Sequence, residues 1–189
     1  MSIKQINFSE VALQVNQNLF LRSVRVSEAK KLYELINENR SYLDRFLPWV
    51  EFNKTEKDSL RFLEHCCNQF FTHKELHLFI EYDKEICGLI GLEIDLFNNR
   101  ADIGYWITEE MSGRGIMTKS LSELVKFSFK VLNLHKLIIK CNPENKASKA
   151  IAVKNNFTLE GHLKEHEKIK NKYFDLLQYR LLKSEYLEN

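Results

Sequence analysis

The sequence predicts a mixed α/β (α+β) fold: one mostly antiparallel sheet, parallel at a single central pair and flanked by helices. Three observations carry this. Residues 76–82, 85–95 and 101–108 are apolar runs separated by the short polar turns Asp83-Lys84 and Asn98-Asn99, the pattern of an antiparallel meander. The third run is followed by Met117, Leu121, Leu124, Val125 and Phe129 at helical spacing, then by the short apolar run Lys136–Cys141. A strand, a crossover helix and a second strand give a parallel pair with a right-handed connection.

The remaining elements follow in chain order. Residues 11–15 and 19–24 flank Asn16-Gln17-Asn18 and read as a β-hairpin. Ser27 is placed to cap a helix that carries Ala29, Leu32, Leu35 and Ile36 and fades near Asn39. Residues 41–50, with Tyr42, Leu43, Phe46, Leu47, Pro48 and Trp49, form an irregular apolar segment that fits either plain core or the wall of a cleft. Thr55 with Asp58 three residues later resembles a capping box and opens a helix to about Phe71, its inner face formed by Leu60, Leu63, Cys67 and Phe70. Within 85–95, the run ICGLIGL reads as a strand buried on both faces. After Cys141, Asn142-Pro143-Glu144-Asn145 makes a turn, and a helix runs from Lys146 or Ala147 to Lys154. It is closed at Asn155-Asn156, where asparagine takes a left-handed conformation. Two last strands lie around 157–167 and 173–182.

Length and charge bound the function classes. At 189 residues, with only 2 Pro and 6 Gly and no repeat or low-complexity run, the expectation is one domain over 1–189. Lys plus Arg total 28 against 26 acids, for a formal charge of +2. Nothing in that balance asks for direct nucleic-acid or membrane binding, so any phosphate site must be local. The N-terminus MSIKQINFSE lacks the features of a secretory signal, and no apolar run approaches the roughly 18 residues of a membrane span. A cytoplasmic location is expected. The four cysteines, Cys66, Cys67, Cys87 and Cys141, lie in hydrophobic elements without paired CxxC spacing, so neither disulfides nor a metal site is expected.

Residues 101–118 bring a strand into a glycine-containing loop, Ser112-Gly113-Arg114-Gly115, and then onto a helix. Two glycines let backbone N–H groups approach a ligand, and the first helical turn leaves donors unsatisfied at the positive end of the dipole. Arg114 and Lys119 add cations where a helix start normally prefers acids, and the first acid inside the helix is Glu123. An external anion such as phosphate relieves that repulsion.

These residues resemble the GCN5-related N-acetyltransferase superfamily. The family's pyrophosphate loop has the pattern Gln/Arg-x-x-Gly-x-Gly/Ala, matched here by Ser112, Gly113, Arg114, Gly115, Ile116 and Met117; only Gly115 agrees strictly, and Ser112 and Met117 depart. The likeness extends over nearly the whole chain: LPWV, IGYWI, GRGIMT, KLIIKCNPENKAS, KNNF, LEGHLKE and YFDLLQYRLL occur in order. Together they resemble the subgroup of ribosomal-protein alanine or serine N-terminal acetyltransferases. The resemblance implies a seven-stranded, mostly antiparallel sheet whose fourth and fifth strands splay to admit acetyl-CoA as co-substrate, with no metal. It implies an acyltransferase of class EC 2.3.1 that acts on a primary amine, the N-terminus of a ribosomal protein first among the acceptors, by direct transfer in a ternary complex. The oligomeric state, a homodimer among the options, stays open.

Acyl transfer needs an oxyanion donor, a group to receive the departing sulfur and a route for the amine proton. The resemblance places a backbone donor near Trp106 or Ile107 and the phosphates on Gly113, Arg114, Gly115, Ile116, Met117 and Thr118. It puts Asn145 on the pantetheine arm and Ser148 beside the sulfur, against ordinary turn and cap roles for both. Glu167, nineteen residues beyond Ser148, is the base by the same resemblance, with Glu160 and Glu165 close by and a solvated surface acid as the other reading. A peptide α-amine titrates near 7.7 to 8.0 against about 10.4 for lysine, so a single carboxylate suffices. The six histidines form no triad or HExxH pattern, and His166 is the nearest to a role. A covalent route through Cys141 is open alongside its reading as a small buried hydrophobe. The alternatives are a small-molecule amine acetyltransferase, with an aminoglycoside or polyamine acceptor, and a non-catalytic acyl-CoA-binding module. An acidic cleft would favour the former.

Overall fold

Turn chemistry explains how successive strands come to pair. In the computed structural model, which describes residues 3–187, two 3₁₀ turns, Ile3–Gln5 and Phe8–Glu10, precede β1 (Ala12–Gln14) and β2 (Leu19–Ser23). Ser27 is not the helix cap the sequence suggested. A 3₁₀ turn at Val26–Glu28 takes up the first turn, and α1 (Ala29–Glu38) starts from Glu28 without a side-chain cap. The proline-broken segment becomes α2 (Arg40–Leu43) and a 3₁₀ turn at Pro48–Phe52. In front of α3 (Glu56–Thr72) the Asp58 carboxylate accepts the Thr55 N–H at 2.9 Å and its hydroxyl at 2.7 Å, the expected capping box.

The meander is β3 (Glu75–Tyr82), β4 (Glu85–Asp95) and β5 (Arg100–Ile107). Asp83 and Lys84 both sit at positive φ, 50° and 70°, so the two-residue turn matches the strands' twist. Then come α4 (Ile116–Lys130), β6 (Lys136–Cys141), α5 (Lys146–Lys154), β7 (Thr158–Ile169), β8 (Lys172–Leu182) and α6 (Lys183–Leu187). Asn156, after α5, has φ 63°, as its position predicted.

The sheet order is β1-β2-β3-β4-β5-β6-β8-β7, with only β5 and β6 parallel. There are eight strands, one more than the family resemblance implied, because the short arm β1 joins the edge of β2. On β4 the stretch 86–92 is buried on both faces, as ICGLIGL foretold. Phe62 of α3 packs edge-on against His77, which is in register with Gly91 and, through it, Gly104. Ser148 of α5 bonds Tyr105, the next residue along. Successive strand residues face opposite ways, so α3 and α5 cover opposite sides of the sheet. No described helix is long and apolar enough to cross a membrane.

Candidate active site

The parallel ladder between β5 and β6 is only three pairs long: Arg100 with Lys136, Ala101 with Leu137 and Asp102 with Ile138. Beyond it β5 stays paired with β4 as far as Ile107, and β6 with β8 as far as Cys141, so the sheet splits at its centre. Alternation identifies the groups left at the split. The Thr108 N–H donates to Cys87 O at 2.9 Å. Antiparallel hydrogen-bonded pairs recur every second residue, so Asp102, Gly104 and Trp106 spend their backbone groups on β4, while Ile103, Tyr105 and Ile107 turn theirs toward β6. Of the two backbone donors proposed from sequence, Ile107 faces the gap and Trp106 does not.

A cavity of about 810 Å³ occupies the split and the groove leading to it. Its floor exists because Gly91 and Gly104 are direct cross-strand partners with no side chains. A Cβ on Gly104 would meet nothing within 4 Å, whereas one on Gly91 would strike His77 Nδ1 at 2.6 Å. Phe46, Leu47, Pro48 and Trp49, with Phe52 after them, line one wall, while Leu43 and Val50 are core, so residues 41–50 serve as both core and cleft wall. Trp49 packs against Trp106 with centroids 6.0 Å apart, fixing that wall to β5. His166 and Glu167 of β7 and Leu176 of β8 also line the cavity, and Lys170, in the turn between those strands, pairs with Asp44.

Several predicted residues meet here. Asn145, Ser148, His166, Glu167, Trp106 and Cys141 all line the cavity. Asn145 caps α5, its side chain accepting the Ser148 N–H at 3.0 Å, so its turn role and its place in the cavity coexist. Ser148 is 7% exposed, and its Oγ lies 2.8 Å from the Tyr105 hydroxyl. Burial pushes the Glu167 carboxyl above the ordinary range, with His166 acting against that shift. Burial also pushes the Cys141 thiol up, with Ser148 opposing it.

Glu167 owes its position to a bulge. Leu163 pairs with Leu176 and Glu167 with Phe174, so β7 spends two more residues than β8 between these points. Glu165 takes φ 49° there, and its N–H donates to Asp175 Oδ1 at 2.9 Å. The same carboxylate binds Lys164 Nζ at 2.8 Å and His162 Nε2 at 2.7 Å. A bulge of this kind re-aims the side chains beside it. Glu160 lies elsewhere, paired with Lys136 at 2.6 Å and Gln178 at 2.9 Å.

The glycine loop is not part of the cavity wall; it follows from the carboxyl end of β5. Gly113 and Gly115 have φ 75° and 77°, and a Cβ on either would find nothing within 4 Å. Gly115 is the N-cap of α4, whose first turn carries no acid. Arg114 is exposed and pairs with Glu110 at 3.7 Å. Met117 and Ile116 are 5% and 4% exposed, so both side chains join the core and leave only their backbone to the loop's outer surface. Ser112 accepts from the Tyr42 hydroxyl at 3.1 Å. The open cradle, the N-terminus of α4 without an acid in its first turn and the exposed Arg114 fit a pyrophosphate.

Sequence reasoning missed Tyr105, His77 and the acids Asp58, Glu93 and Asp102, all of which line the cavity. His77 Nε2 lies 2.9 Å from Glu75, which also holds His65 at 3.1 Å. The register of β4 with β5 is what sets Glu93 opposite Asp102.

Comparison with known proteins agrees with this geometry. The chain is 30% identical over 171 residues to the ribosomal-protein-serine acetyltransferase of Escherichia coli (strain K12), covering 88% of this chain and 94% of that one. A solved ribosomal L7/L12 alpha-N-protein acetyltransferase, RimL, in complex with coenzyme A superposes with a TM-score of 0.88 at 28% identity, over 91% of this chain and 98% of that one. The microcin C7 self-immunity acetyltransferase MccE, in complex with acetyl-CoA and AMP, gives 0.86 at 31% identity, over 92% and 96%. Residues 18–158 match the acetyltransferase (GNAT) domain, and the chain therefore belongs to the GNAT N-acetyltransferases, enzymes that draw their acetyl group from acetyl-CoA.

Proposed function

We propose that this enzyme acetylates the N-terminal α-amine of a protein, with a ribosomal protein as the acceptor, by direct attack in a ternary complex. The observation that carries the reading is that Ser148 and Glu167 line one cavity at the split, beside the stretch of β5 that has left β6. In this reading the loop of Gly113, Arg114, Gly115, Ile116, Met117 and Thr118 holds the CoA pyrophosphate and Asn145 the pantetheine arm. The Ile107 N–H supports the oxyanion. Glu167, whose burial favours the neutral form, takes the amine proton directly or through water. Ser148 donates to the departing sulfur. Cys141 is a poor nucleophile here, since burial holds it as the thiol. RimL's alpha-N-protein activity and the serine acetyltransferase of E. coli support the acceptor class.

A second reading, a small polyamine acceptor, is favoured by one observation. Asp58, Glu93, Asp102 and Glu167 line the cavity, and of its basic side chains Lys140 is committed to Asp102 at 2.7 Å. Mass-spectrometric acetylation of a panel containing Ser- and Ala-starting peptides, spermidine and an aminoglycoside decides between them. Acetylated peptide N-termini support the first reading; turnover confined to spermidine or the aminoglycoside rejects it.

A further inference from the structure

The Ser148 hydroxyl faces the Cys141 thiol and also bonds a residue outside the catalytic groups named so far. Tyr105 Oη lies 2.8 Å from Ser148 Oγ and 3.5 Å from Ser148 O. Tyr105 comes from β5, where the strand has already left β6, and Ser148 from the first turn of α5, so the contact spans the split. Asn145 fixes the other side of Ser148 through its backbone N–H. We propose that Tyr105 is a positioning residue for the leaving group: its O–H donates to Ser148 Oγ and thereby directs the Ser148 proton toward the departing sulfur. This rests on the reading of Ser148 given above.

The direction of the bond follows from what each hydroxyl can do. A hydroxyl has one proton. If Ser148 points its proton at the sulfur, its Oγ must accept from elsewhere, and the Tyr105 O–H is a stronger donor than the Cys141 thiol nearby. Burial pushes the Tyr105 phenol well above its ordinary value, so it stays protonated and polarises Ser148 without yielding the proton. Two hydroxyls in series strengthen each other as donors. In the transfer itself, the nitrogen–carbon bond forms, and the carbon–sulfur bond breaks with its electron pair on sulfur. One amine proton passes to Glu167, and the thiolate, held by Ser148, is protonated from solvent. One amine and one thioester become one amide and one thiol.

The test titrates the thiol of bound CoA by thiolate absorbance, as the difference between CoA-loaded and free protein, in the parent, Tyr105→Phe, Ser148→Ala and the double variant. Turnover with a Ser-starting peptide is followed alongside. The expected result is a bound thiol that titrates below its free value in the parent and higher by roughly one pH unit in Tyr105→Phe. Ser148→Ala removes the whole shift, and adding Tyr105→Phe to it changes nothing further. The peptide kcat falls in the same order while the KM for acetyl-CoA stays within about twofold. A Tyr105→Phe protein that titrates like the parent, or whose effect adds fully to that of Ser148→Ala, overturns the proposal and leaves Ser148 in place. A Ser148→Ala protein with unchanged titration overturns the Ser148 reading itself, and Tyr105 with it.

Discussion

The Tyr42 hydroxyl donates to Ser112 Oγ at 3.1 Å, joining α2 to the glycine loop seventy residues later. Three residues upstream, Asn39 Oδ1 accepts the Glu109 N–H at 3.0 Å. The segment that continues into the groove wall therefore also braces the loop assigned to the CoA phosphates. Where the family pattern has a long polar side chain, this protein has a short serine anchored from outside. Tyr42→Phe removes one such bond, worth about 0.5–1.5 kcal/mol, and is expected to raise the CoA Kd by roughly two- to tenfold with the acceptor KM unchanged. Calorimetric titration of CoA checks it.

Arg114 is the exposed cation of that loop, paired with Glu110 at 3.7 Å. Arg114→Glu is expected to weaken CoA by about tenfold or more, and the loss should shrink as salt screens the parent's attraction. Equal affinity at low salt would remove the loop from the phosphate site.

Gly104 tests the groove. Its Cβ position is open, so Gly104→Ala places a methyl group on the floor with no protein neighbour within 4 Å. The kcat/KM for the acceptor should fall by roughly a hundredfold, the cost of misplacing a reactant by about an ångström, while CoA binding persists. Steady-state kinetics with saturating acetyl-CoA separates the two.

Glu167 predicts a pH dependence. Its carboxyl is held above the ordinary range by burial. A base must be ionised, so its contribution is complete above the raised value and is lost as pH falls through it. The acid limb of kcat should therefore stand above the usual carboxylate value of about 4.3. Glu167→Gln should remove that limb and lower kcat by about 10²- to 10⁴-fold with CoA affinity intact. A limb that survives the substitution would exclude Glu167 as the base.

Asp175 is the support for that base. Lys164, then the Glu165 N–H and His162, hold its carboxyl far below the ordinary range. A depressed value means that the bonded form is fully present above about 3.9 and is lost only on acidification below it. Asp175→Ala should let the bulge relax and lower kcat by roughly tenfold without weakening CoA. An unchanged kcat would mean that the backbone holds Glu167 unaided.

Local patterns made much of this legible. The type I′ turn at Asp83-Lys84, the capping box at Thr55 and the helix after Gly115 are all written in residues close together in sequence. The cleft's approximate address came from the family resemblance, through Asn145 and Ser148. What escaped depends on register. That Ile107 and not Trp106 offers its N–H follows from counting bonds outward from Thr108. That Gly91 and Gly104 share a floor, and that Glu93 faces Asp102, needs the pairing of β4 with β5. Tyr105 looked like one more strand aromatic, because its partner lies forty-three residues away on a helix. Ser27 misled for a local reason, since a 3₁₀ turn claimed the helix start.

The three-pair ladder at Asp102 and Ile138 has a mechanical consequence. The sheet is two rafts, β1–β5 and β6–β8, riveted along one short seam and gaping beyond it. A ligand that enters the gap and engages both lips acts as the missing rivet. Occupancy then sets how strongly the halves resist parting, and stability rises with free ligand as RT ln(1 + [L]/Kd), about 2.7 kcal/mol at a hundred times Kd. The same three pairs that make room for the reaction leave a seam that bound co-substrate would reinforce.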